Sequence, residues 1–155
     1  YASKGRMGRA TTKAAVVAAV QRGGDVRPAH VERVDGETLK SFIMANVSRS
    51  SVLMTDEFLI YRKIGKEYAS HKTVKHSIKE YARGDVHTNS IESFFAIVKR
   101  SLYGTHHAVS RKHLHRYLSE RGFVFNARHI DDGARTALAI QRATVKRLRY
   151  TEYVQ

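Results

Sequence analysis

Apolar residues fall along this chain in several different periods, and each period predicts a different element. The run from Lys13 to Gln21, Lys-Ala-Ala-Val-Val-Ala-Ala-Val-Gln, is apolar almost throughout and stops at Gly23-Gly24. Periodicity alone leaves strand and short helix open there. A Gly pair supplies the positive φ of a tight turn, and the β-leaning stretch through Val26, His30, Val31 and Val34 then favours a two-stranded hairpin over Lys13 to Val34. Asp35-Gly36-Glu37-Thr38 breaks the strand. Leu39, Phe42, Ile43 and Val47 recur at three-to-four spacing, which predicts a helix ending near Ser48. Ser51-Val-Leu-Met-Thr55 has the composition of a central strand covered on both faces and runs straight into Asp56-Glu57. Phe58 to Tyr68 reads as a short helix or turn. Thr73 to Ile78, with Val74, His76 and Ile78 alternating against Lys75 and Ser77, reads as a further strand, closed by Gly84 and Asp85.

Three helices follow. Asn89 or Ser90 caps the first, whose face of Ile91, Phe94, Phe95, Val98 and Leu102 runs to Gly104. Ser110 caps the second, with Leu114, Tyr117 and Leu118 inward and Gly122 at its end. Asp131-Asp132 opens the third at its positive dipole end, and Leu138, Val145 and Leu148 carry it onward. Strands first and helices later predict an α/β or α+β layer fold, without an internal repeat.

Charge narrows the class of partner. The 155 residues hold 28 Lys and Arg against 14 Asp and Glu, a net +14 with nine His in reserve. Such an excess calls for a polyanion. Hydrophobic residues at 42%, with eight Tyr and six Phe, are too many for a disordered basic tail, so the cationic surface belongs to a folded domain. Tyr1 to Arg9, rich in Gly, Lys and Arg, reads as a mobile lead-in without the apolar core of a signal peptide. No apolar run approaches the roughly 18 residues of a membrane helix, so a soluble, unexported protein is expected. With no Cys there is no disulfide frame, thiol nucleophile or thiolate metal cage.

Two carboxylates stand out. Asp56 closes an apolar strand and Glu92 lies in the first turn of an amphipathic helix, with 35 residues, Glu57 to Ile91, between them. Strand ends and helix starts beside a sheet open onto a crevice in α/β folds, and two carboxylates there can converge on hard cations such as Mg²⁺ or Mn²⁺. Asn89 precedes Glu92 by three residues and shares its helical edge. Neighbours on a strand point to opposite faces, so at most one of Asp56 and Glu57 faces the site.

The spacing and the surrounding text resemble the bacterial insertion-sequence DDE transposases of the Asp-Asp-Asn-Glu branch, the ISXO type. The carrying strings are Thr55-Asp56-Glu57 with Tyr61 downstream, Val86-His87-Thr-Asn89-Ser-Ile-Glu92 through Lys99-Arg100, Tyr103-Gly-Thr-His106-His107, and Ser110-Arg-Lys-His-Leu-His-Arg-Tyr117. They span roughly Lys13 to Arg128 in the family's order. The resemblance implies an α/β fold of the RNase H-like, retroviral-integrase type, a mixed sheet with flanking helices. Residues 1–12 are then a basic flexible lead-in and residues 13–155 a single catalytic domain. In the family the first catalytic Asp lies on an opening strand ahead of the hairpin, whereas the earliest acid here is Asp25. The domain is therefore expected to be N-terminally incomplete and the isolated chain a poor enzyme, unless an acid such as Asp35 or Asp85 completes the set.

By the same resemblance, Asp56 and Glu92 are metal ligands, Asn89 a metal contact or an orienting hydrogen bond, and the reaction is DNA strand cleavage and strand transfer at a two-metal Mg²⁺ or Mn²⁺ site. Lys99, Arg100, Arg111, Lys112, Arg116 and Arg121 are expected on phosphates of double-stranded DNA, element ends and target alike. Neutralising about six phosphates makes affinity fall on the order of a thousandfold between low and moderate salt. A homo-oligomer on DNA in the bacterial cytoplasm, associated with the nucleoid, completes the expectation. Blander roles stand beside these: Asn89 and Glu92 as a capping pair, His87, His106 and His107 as structural or phosphate-contacting groups, Phe94, Phe95 and Tyr117 as core, and the Ser110 to Arg121 helix as a solvated basic face. Two other classes share the features, a non-catalytic nucleic-acid-binding remnant and an RNase H-like nuclease on RNA or hybrids.

Overall fold

The computed structural model describes residues 14–75, 77, 82–83 and 85–143. The lead-in, His76 and Ile78 of the strand expected over Thr73 to Ile78, and Val145 and Leu148 of the last helix lie outside them.

The hairpin forms as its pattern predicts. β1 (Ala15–Val20) pairs antiparallel with β2 (Val26–Val31), and Gly23 takes a φ of 70° in the turn. Its apolar run has a specific cause: both faces are covered. Val17, with Ala29 and Val31, packs on Leu39, Ile43, Leu53, Ile64 and Tyr68. Val16, Ala18, Val20 and Val26 pack on Phe94, Val98, Leu114 and Leu118. Two cores thus share one hairpin as their common wall.

The first core is built by α1 (Gly36–Asn46), β3 (Val52–Thr55), α2 (Leu59–Gly65) and β4 (Ser70–Thr73). Asp35 caps α1, its Oδ1 accepting the Thr38 N–H at 2.8 Å. β3 and β4 pair in parallel with Val52 opposite Ser70 and Thr55 opposite Thr73, joined by α2 as a parallel connection requires. Here the structure corrects the sequence: the strand is Ser70–Thr73 and ends where the alternation was expected to begin. Ser-His-Lys-Thr carries no β signature of its own, and pairing with β3 overrides local propensity. Val74 is nevertheless buried and donates its N–H to the Thr55 carbonyl at 3.1 Å.

A short antiparallel ladder, β5 (Ala82–Arg83) with β6 (Val86–His87), leads into α3 (Asn89–Ser101). β6 lies beside both β3 and β4. Beyond α3 the chain continues through a π-helical turn, Leu102–His106, then a 3-10 turn, Arg111–His113, α4 (Leu114–Asn126) and α5 (Asp132–Ala143).

The glycines expected to stop two helices do not. Gly104 sits inside the π turn, and Gly122 lies within α4, where a Cβ would come 3.3 Å from the Pro28 ring. Gly122 serves close approach of α4 to β2. Asn126 completes that contact: its side chain accepts the Val26 N–H at 2.7 Å and donates to the Val26 carbonyl at 3.1 Å, supplying the edge of β2 with the partner a further strand would give. The described strands therefore form three two-stranded sheets with five α-helices around them, an α/β architecture.

Candidate active site

Asp56 follows the last residue of β3 and is held by local chemistry. Its Oδ1 accepts the Phe58 N–H at 3.2 Å, and its carbonyl accepts the Thr55 hydroxyl at 2.9 Å. Phe58 packs into the first core and edge-on against Tyr61, so the residue after next anchors the carboxylate. Glu57 accepts the Ser77 N–H at 3.1 Å; β3 ends at Thr55, so strand alternation does not separate the two neighbours. Contrary to the expectation that only one of them faces the site, Asp56 and Glu57 both line a cleft of about 350 Å³ whose other walls include the cations Arg62, Lys72 and Lys75, with His71 and Thr73. Sequence reasoning missed these cations. Their signal is weak: Lys72 belongs to an unrecognised strand, and Arg62 is one basic residue among many.

α3 begins at Asn89, with Thr88 as its cap residue. Neither Asn89 nor Ser90 is the cap, and the expected capping pair of Asn89 with Glu92 is not formed. Thr88 Oγ1 instead donates to Glu92 Oε1, and the Glu92 N–H closes the first turn on the Thr88 carbonyl at 3.1 Å. Asn89 and Glu92 are three residues apart within the helix, on one exposed edge, while Phe94 and Val98 are buried on the opposite side. Lys99 stands seven residues beyond Glu92 on the same face, about 10 Å along the axis. β6, which ends one residue before the Thr88 cap, runs beside the strand that Asp56 terminates.

The structure brings Asn89 and Glu92 onto one edge and Asp56, with Glu57, onto a cleft of mixed charge that neither Asn89 nor Glu92 lines. Among the described residues no three His, Asp or Glu side chains form a group that could hold a metal ion. Asp35 is engaged as the α1 cap, and the Asp85 carbonyl accepts from Arg22 in the hairpin turn, whose guanidinium also reaches Met54 Sδ at 3.1 Å. In kind, the carboxylates of Asp56 and Glu92 and the Asn89 amide oxygen suit Mg²⁺ or Mn²⁺, which prefer hard oxygen donors.

The basic residues divide by environment. Lys99, Arg100, Arg111 and Lys112 are exposed, the first two in the last turn of α3 and the second two in the 3-10 turn. Arg116 is half-buried; Arg121, also half-buried, pairs with its neighbour Glu120. The histidine pair splits: His106 packs edge-on against Tyr117 with ring centres 4.6 Å apart, whereas His107 takes a φ of 55°. Phe94 is fully buried and packs edge-on against Phe125, as a core residue.

The pattern of the ISXO2-like transposase domain matches residues 2–126, covering β1 through α4. The chain belongs to this family of insertion-sequence DDE transposase domains, and is a transposase domain by class. No curated protein and no solved structure matches it. No helix among the described residues is long and apolar enough to cross a membrane.

Proposed function

We infer that the chain is the catalytic domain of a DDE transposase with an RNase H-like arrangement, cutting and joining DNA with Mg²⁺ or Mn²⁺. The observation that carries this reading is Asp56 just past the end of a parallel strand, in a cleft lined also by Glu57 and by the cations Arg62, Lys72 and Lys75, with the strand leading to Glu92 alongside. Membership of the family supports the same class of reaction.

Phosphodiester exchange by in-line displacement needs an activated attacking oxygen, a stabilised leaving oxygen and compensation of phosphate charge. Divalent cations, when bound, supply the first two. Asp56 and Glu92 would hold them through carboxylate oxygens, and the neutral Asn89 amide would orient water or phosphate by hydrogen bonding. Arg62, Lys72 and Lys75 stand where a phosphate entering the Asp56 cleft would meet positive charge. Lys99 and Arg100, with Arg111 and Lys112 after the π turn, extend that charge away from Glu92 and would grip the duplex through its backbone. Arg116 and Arg121 would contribute from α4. Double-stranded DNA is then the substrate, both as element end and as target, and a homo-oligomer pairing two ends is the working assembly.

Cleavage and strand transfer on duplex oligonucleotides by the longest natural reading frame that contains these residues test the reading. Asp56→Asn and Glu92→Gln are each expected to lower cleavage on the order of a hundredfold or more while duplex affinity stays within about twofold, since a lost metal ligand removes chemistry and leaves the phosphate contacts. Unchanged residual cleavage with loss of DNA binding in both variants would overturn the assignment. Binding without cleavage by the unaltered protein would place it among non-catalytic DNA-gripping proteins, and preferential cleavage of an RNA–DNA hybrid among RNase H-like nucleases.

A further inference from the structure

We propose that His71 is a positioning residue for Asp56: its imidazole, seated in a notch left open by Gly65, holds the Thr55 hydroxyl so that it fastens the Asp56 carbonyl.

Thr55 is buried at the end of β3, with Oγ1 2.9 Å from His71 Nε2 and 2.9 Å from the Asp56 carbonyl oxygen. The hydrogens can be assigned. A carbonyl oxygen only accepts, so the single Thr55 hydroxyl hydrogen goes to Asp56, and His71 must donate its Nε2–H to Thr55 Oγ1. Burial lowers the His71 pKa from 6.5, so near neutral pH the ring is uncharged and this contact selects the Nε2–H tautomer.

The ring has no latitude on its other side. A Cβ at Gly65, the last residue of α2, would lie 2.3 Å from both His71 Cγ and Nδ1 and 2.6 Å from its Cβ. The absence of a side chain at Gly65 is therefore the condition for the ring to stand where it does. Asp56 is consequently held twice, through its carbonyl by the Thr55 relay and through its carboxylate by the Phe58 N–H. Nε2 is engaged with Thr55 and the ring packs against Gly65 at the wall of the Asp56 cleft. Its work is orientation. β3 and β4 remain joined by their own ladder and by the Val74 N–H to Thr55 carbonyl bond without it, so loss of the ring should disturb Asp56 more than the fold.

The consequence for catalysis rests on Asp56 being a metal ligand, so the experiment separates the two. Amide NMR spectra of the isotope-labelled chain are compared for the wild type, His71→Leu, His71→Gln and Gly65→Ala. His71→Leu and Gly65→Ala are expected to shift and broaden the Asp56 and Phe58 signals while leaving those of β1 and β2 in place. His71→Gln, whose amide can still donate to Thr55, is expected to restore them. Titration with Mn²⁺ alone is expected to broaden signals at Asp56 and Glu92, with a midpoint on the order of tenfold higher in His71→Leu and near wild type in His71→Gln. Unmoved Asp56 and Phe58 signals in His71→Leu, or no restoration in His71→Gln, overturns the proposal. If wild type shows no Mn²⁺ broadening while the leucine variant still displaces Asp56, the positioning stands and the metal reading falls. Should His71→Leu fail to fold, Gly65→Ala decides by the same signals.

Discussion

The two cores divided by the β1–β2 hairpin hold the two candidate carboxylates in different ways. The core of Leu39, Ile43, Leu53, Ile64 and Tyr68 fixes Asp56 through short-range links: a parallel strand pair, the Phe58 anchor and the His71–Thr55 relay. The core of Val26, Phe94, Val98 and Leu118 fixes Glu92 through the placement of one helix, with the Thr88 hydroxyl and carbonyl as its local partners. A strand end is positioned residue by residue, whereas a helix start inherits its position from side chains one or two turns away. Errors in packing should therefore reach Glu92 sooner than Asp56.

The largest expected effect follows from this asymmetry. Phe94 is fully buried, and Phe94→Ala should lower stability by about 3 to 5 kcal/mol in urea unfolding with an unchanged m-value. Ile43→Val in the other core should cost only about 0.5 to 1.5 kcal/mol. If the cores behave independently, the double variant should equal the sum within about 0.5 kcal/mol; a larger departure would show that the hairpin transmits strain between them.

Next in size is Asn126→Ala, which strips both hydrogen bonds from the backbone of the buried Val26. Its cost should be about 1 to 3 kcal/mol. Asn126→Asp, keeping the acceptor and losing the donor, should fall between the two.

On DNA, Lys99→Ala with Arg100→Ala should flatten the log affinity against log salt slope by about two, as two phosphate contacts are lost. An unchanged slope would mark α3's last turn as a solvated face.

The smallest effect concerns acid. The folded pKa of His71 lies below its usual 6.5 through burial, so the unfolded chain binds more protons there. The stability this contributes is full above pH 6.5 and is lost as pH falls from that value through the folded one. Asp35 is held below 3.8 first of all by the Thr38 N–H, so its contribution is full above pH 3.8 and fades beneath it. His71→Gln should remove the first limb of acid destabilisation and leave the second, while Asp35→Asn, still a capping residue, should keep the first and only shrink the second, to which Glu67 and Asp131 also contribute.

Much of this was legible in the chain. The hairpin over Lys13 to Val34 and the strand before Asp56 are where their apolar composition and the Gly23-Gly24 turn place them, although Val52 is exposed rather than covered. The helix at Leu39 to Val47 and the amphipathic stripe from Ile91 are where their periods place them, because each buries one apolar face. Asn89 and Glu92 on one helical edge follow from the same periodicity. β4 was not legible, since Ser70 to Thr73 owes its extended form to β3 rather than to its own residues. Gly122 read as a helix stop because its small size suits a terminus as well as close packing, and only Pro28 across the gap tells them apart. Thr88 displaced Asn89 as the cap because helix ends shift by a residue at little cost.

What the sequence determined by itself is therefore the list of buried faces, the cationic surplus and the family text around Asp56 and Glu92, all written in local order. Tertiary structure alone decided that one hairpin would wall two cores, that a polar tetrapeptide would become a strand, and that His71, sixteen residues from Thr55, would share a hydrogen bond with it. Contacts between distant residues depend on the shape of what lies between them, and a linear pattern carries no record of that shape.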